Sequence, residues 1–148
     1  MRSFCLYVAE SKMSFASLPS MPNLVHLDLQ NAAPWLVSLD GLGGCTKLEH
    51  LKLNGCNLLT DLTGIVPAPR LQFIDLKYCT SLPNVDGLSE VPALQELRLN
   101  GCSALENVDD LARSTNLRIL ILRDCWQLKG VLGVIKNLAE TIEFVDCS

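Results

Sequence analysis

The chain has 148 residues, 49% of them apolar and 5% aromatic, and its 12 basic and 16 acidic residues give a formal net charge of −4. This apolar content is too high for a disordered chain, and 9 glycines and 7 prolines are too few for a collagen-like one. An isoelectric point near 5.1 argues against a nucleic-acid partner, and no run of about 18 apolar residues is present to cross a membrane. We therefore expect a globular protein with a mainly aliphatic core.

The first segment of the chain has some features of a secretory signal. An apolar stretch at residues 4–9 follows Arg2, and Glu10 ends it. A secretory signal needs an apolar region of roughly 7–15 residues that leads to a cleavage site of small residues. We therefore expect an intracellular, cytoplasmic address.

Five of the seven cysteines are spaced at a nearly constant interval. They lie at positions 56, 79, 102, 125 and 147, so the steps are 23, 23, 23 and 22 residues. Each cysteine belongs to one template, L-x-x-L-x-L-x-x-C-x-x-L-x-x-V-x-x-L, which four consecutive copies follow and two earlier copies follow less closely. The chain is thus predicted to be one domain over residues 1–148, with repeats starting near residues 1, 24, 48, 71, 94, 117 and 139.

The template predicts one strand and one return segment in each repeat. The L-x-L core alternates apolar and variable residues, as a half-buried strand does, and stacking short repeats in phase produces a parallel sheet. Because a single repeat cannot bury its own apolar residues, neighbouring repeats must cover one another. The return segments should be irregular or short 3-10 turns, since prolines interrupt several of them, and residues 130–138 are the one candidate for a short helix. The predicted fold class is an α/β solenoid with a parallel sheet of about seven strands.

The repeated motif resembles the leucine-rich repeat family along essentially the whole chain. Cysteine in the slot that is often asparagine, followed by Val-Asp-Gly-Leu at 85–88 or Val-Asp-Asp-Leu at 108–111, is most similar to protozoan members. Bacterial internalins and plant intracellular immune receptors have similar repeats. The resemblance implies a right-handed horseshoe with a concave sheet, which acts as a protein-protein interaction scaffold.

The repeated cysteines are interpreted as structural residues. A small, mostly apolar side chain with a weak S–H donor suits a tight turn, and side chains that project in parallel do not favour a disulfide. We expect free thiols in one column beside the sheet. Cys5 and Cys45 lie off this column, and Cys5 is the stronger candidate for a reactive thiol.

The variable strand positions are the candidate binding residues, because the leucines of the template form the core of the scaffold. Charges alternate down the fifth template position from Asp28 to Lys52, Asp75 and Arg98. One interpretation is a ladder of cross-strand ion pairs, and the other is a mixed-charge stripe with apolar anchors that recognises a polypeptide. The predicted partner-binding residues are His50, Lys52, Phe73, Asp75, Tyr78, Arg98, Ile119, Ile121 and Arg123.

No motif indicates catalysis, a cofactor or a resident metal. His26 and His50 are predicted neighbours, but a metal site needs a third ligand, for which Asp28 and Asn54 are the nearest candidates. The glycines at 41, 43 and 44 lack the spacing of a phosphate-binding loop. We therefore predict that the chain is not an enzyme and has no cofactor.

Neither end of the repeat array has the polar capping unit that solenoids normally carry. We therefore expect a longer array, or ends that a partner or a second copy covers. The predicted function is a non-catalytic module that binds or assembles proteins through the concave face. The alternative is a ligand-sensing or regulatory fragment of a larger multidomain protein, of the immune-receptor or ligase-adaptor type.

Overall fold

The computed structural model describes residues 2–5, 13–14, 20–30, 35–142 and 144–147. Its main element is a parallel sheet of seven three-residue strands, in which each strand is hydrogen-bonded to that of the next repeat. This sheet confirms the predicted solenoid, because every repeat adds one strand to one edge. Its strands are β1 (Ser3–Cys5), β3 (His26–Asp28), β5 (His50–Lys52), β6 (Phe73–Asp75), β7 (Glu96–Arg98), β8 (Ile119–Ile121) and β9 (Phe144–Asp146).

The strands from β1 to β8 pair in the register that the template predicts. His26 lies opposite His50, His50 opposite Phe73, and Phe73 opposite Glu96, so one template position forms a continuous column across the sheet. In the main-sheet strands from β3 to β8, the central residue points away from this face into the core, as strand geometry requires. These central residues are all buried: Leu27, Leu51, Ile74, Leu97 and Leu120.

The column of cysteines fills the turn behind the sheet. The thiols of Cys79, Cys102 and Cys125 donate hydrogen bonds to backbone carbonyls of the preceding repeat, at 3.4, 3.2 and 3.0 Å respectively. Each acceptor is the leucine at the sixth template position, so the same bond recurs from repeat to repeat. This position requires a side chain that is small enough for the turn and able to donate a weak hydrogen bond.

The return segments on the opposite side are mostly single 3-10 turns, as predicted. They span Leu42–Gly44, Thr63–Ile65, Leu88–Glu90 and Asp109–Arg113. Neighbouring turns approach so closely that a Cβ atom at Gly64 would lie 2.4 to 2.5 Å from backbone atoms of Asp40 and Leu39. The predicted short helix is also present, as α1 (Val131–Asn137).

The last repeat differs from the prediction. The template places Ile142 opposite Leu120, with the repeat starting near residue 139, whereas the structure pairs Val145 with Leu120. The repeat therefore starts at Ile142, and Cys147 takes the sixth template position, where it is exposed, instead of filling the cysteine slot. The cause is α1: a helix rises about 1.5 Å per residue against about 2.0 Å in a 3-10 turn, so the return takes more residues.

A second, two-stranded parallel sheet was not predicted. It consists of β2 (Met13–Ser14) and β4 (Leu36–Ser38), which belong to the first two repeats. The extra residue of the second repeat precedes β4. Most of the first repeat's template residues, including Leu6, Ala9, Phe15 and Leu18, lie outside the described residues.

Candidate partner-binding surface

The side of the main sheet opposite the core is called the sheet face here, and a row of rings and a guanidinium crosses its centre. The ring centroids of His26 and His50 are 4.7 Å apart, and those of His50 and Phe73 are 5.8 Å apart. The guanidinium carbon of Arg98 lies 5.1 Å from the centroid of the Phe73 ring, within cation–π distance. The three rings share the third template position. Arg98 occupies the fifth template position, on β7, and reaches the Phe73 ring from there.

The position of His50 in this row affects its pKa. Partial burial lowers the pKa of His50, and the nearby His26 lowers it further. The imidazole is thus mainly neutral at pH 7, which suits a ring that stacks. The part of the chain that the structure describes contains no cluster of three or more His, Cys, Asp or Glu side chains arranged to hold a metal ion.

The predicted ladder of cross-strand ion pairs forms in one place. Lys52 lies 3.8 Å from Asp28 on the neighbouring strand. The next two members pair along their own strands: Asp75 with Lys77 at 3.7 Å, and Arg98 with Glu96 at 2.6 Å. The ladder prediction is therefore wrong for Asp75 and Arg98. Residues two apart on a strand point to the same face, so these partners are as near as those across the sheet.

Asp75 is buried, although it belongs to the sheet face. The backbone N–H of Lys77 donates to one carboxylate oxygen at 3.2 Å. The Asn54 amide, oriented so that its nitrogen faces Asp75, donates to both oxygens at 2.9 and 3.2 Å. This network compensates a buried charge, which would otherwise be costly. It makes Asp75 a support beneath the surface, whereas the sequence placed it among the contacting residues.

A shallow depression of about 290 Å³ lies on the sheet face toward the last strands. The Asn100 Oδ1 atom at this site is buried and accepts no hydrogen bond within the described residues. The guanidinium of Arg123 pairs with Asp146 of the last strand. The lining side chains are Lys77, Arg98, Asn100, Ile121, Arg123 and Asp146.

Tyr78 lies at the edge of the sheet face, at the eighth template position. Its backbone has a left-handed φ of 59°, and 59% of the residue remains exposed. Its ring packs over Gly101 of the next repeat, where a Cβ atom would meet the ring at 2.4 Å. Gly101 is required both for this packing and for its own φ of 71°.

The structure brings six of the nine predicted binding residues into one neighbourhood. His50, Phe73 and Arg98 form the central row, and Ile121 and Arg123 line the depression with Arg98. Ile119 lies opposite Glu96 on the same face, whereas Lys52 pairs with Asp28 and Tyr78 lies at the edge. Sequence reasoning missed Lys77, Glu96, Asn100 and Asp146. The first three occupy the third and seventh template positions, so the same repeat arithmetic identifies them, but Asp146 depends on the altered register of β9.

The buried thiols of the column have low reactivity. Burial raises the pKa of Cys56 and of Cys79 to about 12, and it raises the pKa of Cys102 further. A thiol that stays protonated is a poor nucleophile. The side chain of Cys5, which was predicted to be the more reactive thiol, lies outside the described residues.

The described helices give no candidate for a membrane span, since none combines the necessary length with the necessary apolarity.

Comparisons with known proteins match part of this chain's sequence and its overall fold. A family model described as Leucine Rich repeats (2 copies) matches residues 22–67. Among solved structures, an internalin C2 from Listeria monocytogenes superposes with a TM-score of 0.53 at 20% sequence identity.

The superposition covers 85% of this chain and 62% of the internalin chain, so this chain spans less than two thirds of the length of that structure. A search of curated proteins gave no match. The similarity to protozoan and plant repeats stays a prediction. The parallel sheet, the match over residues 22–67 and the superposition on the internalin show that this chain folds as a leucine-rich-repeat solenoid.

Proposed function

We propose that the chain is a non-catalytic module that binds a polypeptide partner through the sheet face. Leucine-rich repeats in general form extended surfaces for protein interaction. The template leucines and column cysteines of the central repeats are buried in the core, so on the sheet face the variable strand positions are the part of each repeat that a partner can contact.

The observation that carries the proposal is the row formed by His26, His50, Phe73 and Arg98. It crosses four neighbouring strands, which at about 4.8 Å per step corresponds to roughly 14 Å, or four residues of an extended peptide. Aromatic and arginine side chains are the residues that most often dominate the energy of protein interfaces. A half-buried ring that a guanidinium covers on a rigid sheet is a preorganised anchor.

Selection of random peptides against the immobilised chain tests this proposal directly. We expect enriched peptides whose binding weakens on Phe73→Ala by roughly 30-fold, the effect of losing about 2 kcal/mol at a central interface residue. The matched control is Leu132→Ala, which removes an exposed apolar side chain from α1, away from the sheet face. Unchanged binding by Phe73→Ala and by Tyr78→Ala would move the binding site off the sheet face and refute the proposal.

We also propose a reducing, intracellular compartment. The support is chemical: the thiols of Cys79, Cys102 and Cys125 act as hydrogen-bond donors, a role that disulfides would abolish. Thiol titration of the purified chain, unfolded without reductant, should find most of the seven cysteines free. A low thiol count would contradict this assignment.

A further inference from the structure

Three of the four ion pairs described on the sheet face are unequal in exposure, whereas the fourth, Lys52 with Asp28, is 43% and 37% exposed. The Asp75 side chain is 5% exposed against 29% for Lys77, and the Asp146 side chain is 12% exposed against 54% for Arg123. Glu96 is 22% exposed against 35% for its partner Arg98. In each of these three pairs, therefore, the carboxylate lies lower and the cation lies at the surface.

This difference changes the charge that a partner meets. Counted by residues, the three pairs are neutral. A ligand that approaches the sheet nevertheless contacts ammonium and guanidinium groups first, while the carboxylates beneath hold those groups in place. A guanidinium has five N–H donors, so one carboxylate partner leaves it able to bind a second.

The three cations also converge on one place. Lys77, Arg98 and Arg123 all line the depression of about 290 Å³, and Ile121 adds an apolar wall to it. The depression thus has cations for carboxylates and an apolar contact.

Resting on the proposed function above, we propose that the sheet face recognises an acidic segment of a partner polypeptide, with its Asp or Glu carboxylates on Lys77, Arg98 and Arg123. The net charge of the whole chain is −4, which opposes a long polyanion such as a nucleic acid at a distance. A short acidic segment that contacts only the basic patch avoids most of this repulsion, since charges more than about 8–10 Å away are screened at physiological salt.

The test uses fluorescence anisotropy with defined probes. The probe is a labelled peptide of about ten residues that alternates Glu with Leu, long enough to lie across the depression at roughly 3.3 Å per residue. The reference probe has Gln in place of every Glu, and a third probe is a single-stranded oligonucleotide of equal charge. We expect the Glu peptide to bind at least about tenfold more tightly than the Gln peptide, and to weaken as salt is raised.

Matched variants locate the interaction. Arg98→Gln combined with Arg123→Gln should weaken binding of the Glu peptide by at least about tenfold. Arg70→Gln combined with Arg113→Gln removes the same charge from exposed sites off the sheet face and should leave binding unchanged. Glu96→Gln removes an anion from beneath the patch and should tighten binding, a gain that misfolding does not produce. Thermal unfolding of each variant checks that the fold is retained.

The outcomes separate this inference from the proposed function. If the Gln peptide binds as tightly as the Glu peptide and Phe73→Ala abolishes both, the sheet face binds polypeptides and the acidic specificity is refuted. If neither the selected peptides nor the Glu peptide depends on any sheet-face residue, the proposed function itself fails. Equal losses in the two arginine double variants, or tighter binding of the oligonucleotide, would also overturn the inference.

Discussion

The central repeats, residues 48–116, and the last full repeat, residues 117–141, follow the same template but are packed differently. Leu105 and Val108 are buried in the central repeats, whereas Leu128 and Val131 at the same template positions are only partly buried. Cys102 is buried, and Cys125 is half-exposed. The return segment also changes, from a 3-10 turn to α1.

This difference shows that the burial of a side chain in a solenoid depends on the repeats that lie on either side of it. Leu105 and Leu128 are the same residue in the same local sequence position, but Leu105 has a complete repeat on each side within the described residues. After the repeat of Leu128, the described residues 144–147 contain only the short β9 strand and no return segment. Stability should therefore be highest in the middle of the described stack and lower toward the last repeat.

The largest effect that tests this comparison is expected from truncating the buried leucine. Leu105→Ala should lower the free energy of unfolding by roughly 2–5 kcal/mol, because it leaves a cavity between two repeats. Leu128→Ala, at the matched position, should cost less than half as much. Urea unfolding of both variants measures the difference, and equal losses would show that the last repeat is packed as tightly as the centre.

A second contrast concerns two glycines. Gly64→Ala should cost about 3 kcal/mol, because the new Cβ would overlap backbone atoms of Leu39 and Asp40 and force two repeats apart. Gly133 in α1 has no heavy atom within 4 Å of its built Cβ. Gly133→Ala should therefore stabilise the chain by about 0.5–1 kcal/mol through helix propensity. Melting temperatures that shift in the same direction for both variants would contradict this account.

The third prediction is loss of stability at alkaline pH. An unfolded thiol titrates near pH 9, whereas burial raises the pKa of Cys79 to about 12, so the folded state holds its proton more tightly. Stability contributed by this difference is fully present below pH 9 and is lost as pH rises toward 12, with about 1.4 kcal/mol gone at pH 10 for each such thiol.

Urea unfolding at pH 8 and pH 10 checks this dependence. Cys79→Ala should reduce the loss between the two pH values by about 1.4 kcal/mol. Cys147→Ala, which removes an exposed thiol, should change the loss much less. Similar effects of the two substitutions would mean that the column is open to solvent.

The smallest predicted difference compares two glycines with nearly equal left-handed φ, 71° at Gly101 and 70° at Gly130. Alanine at either position should cost about 1–2 kcal/mol from the backbone alone. Gly101→Ala should cost about 1 kcal/mol more, because it displaces the Tyr78 ring, whereas nothing lies within 4 Å at Gly130. Calorimetric melting of both variants measures this gap, and its absence would show that the Tyr78 ring moves aside without cost.

Much of the fold follows from the template. The period of 23 residues places β5, β6, β7 and β8 at their observed positions, because each strand centre is an apolar residue flanked by variable ones. The cysteine slot predicts the recurring turn. Near the end of the chain, however, Ala139, Ile142 and Phe144 fit the strand pattern about as well as Ile142, Val145 and Cys147. The number of residues that α1 needs to return to the sheet selects the second set.

The binding surface was predictable by position but not by role. Repeat arithmetic put Phe73, Arg98 and Arg123 on one face, and the structure places them there. It also predicted Asp75 as a contact residue, although that carboxylate is buried, accepts hydrogen bonds from the Asn54 amide and pairs with Lys77. Contacts between repeats decide exposure, and a template that is the same in every repeat does not contain them.

By itself, the sequence determined the repeating strand, the aliphatic core and the thiol column, because these depend on periodic local patterns that every repeat shares. Only the tertiary structure decided the register of the last strand, the partner of each charge and the exposure of each member of a pair. Those features depend on distances between side chains of neighbouring repeats. Around the depression on the sheet face, they leave the cations of three ion pairs more exposed than their carboxylates.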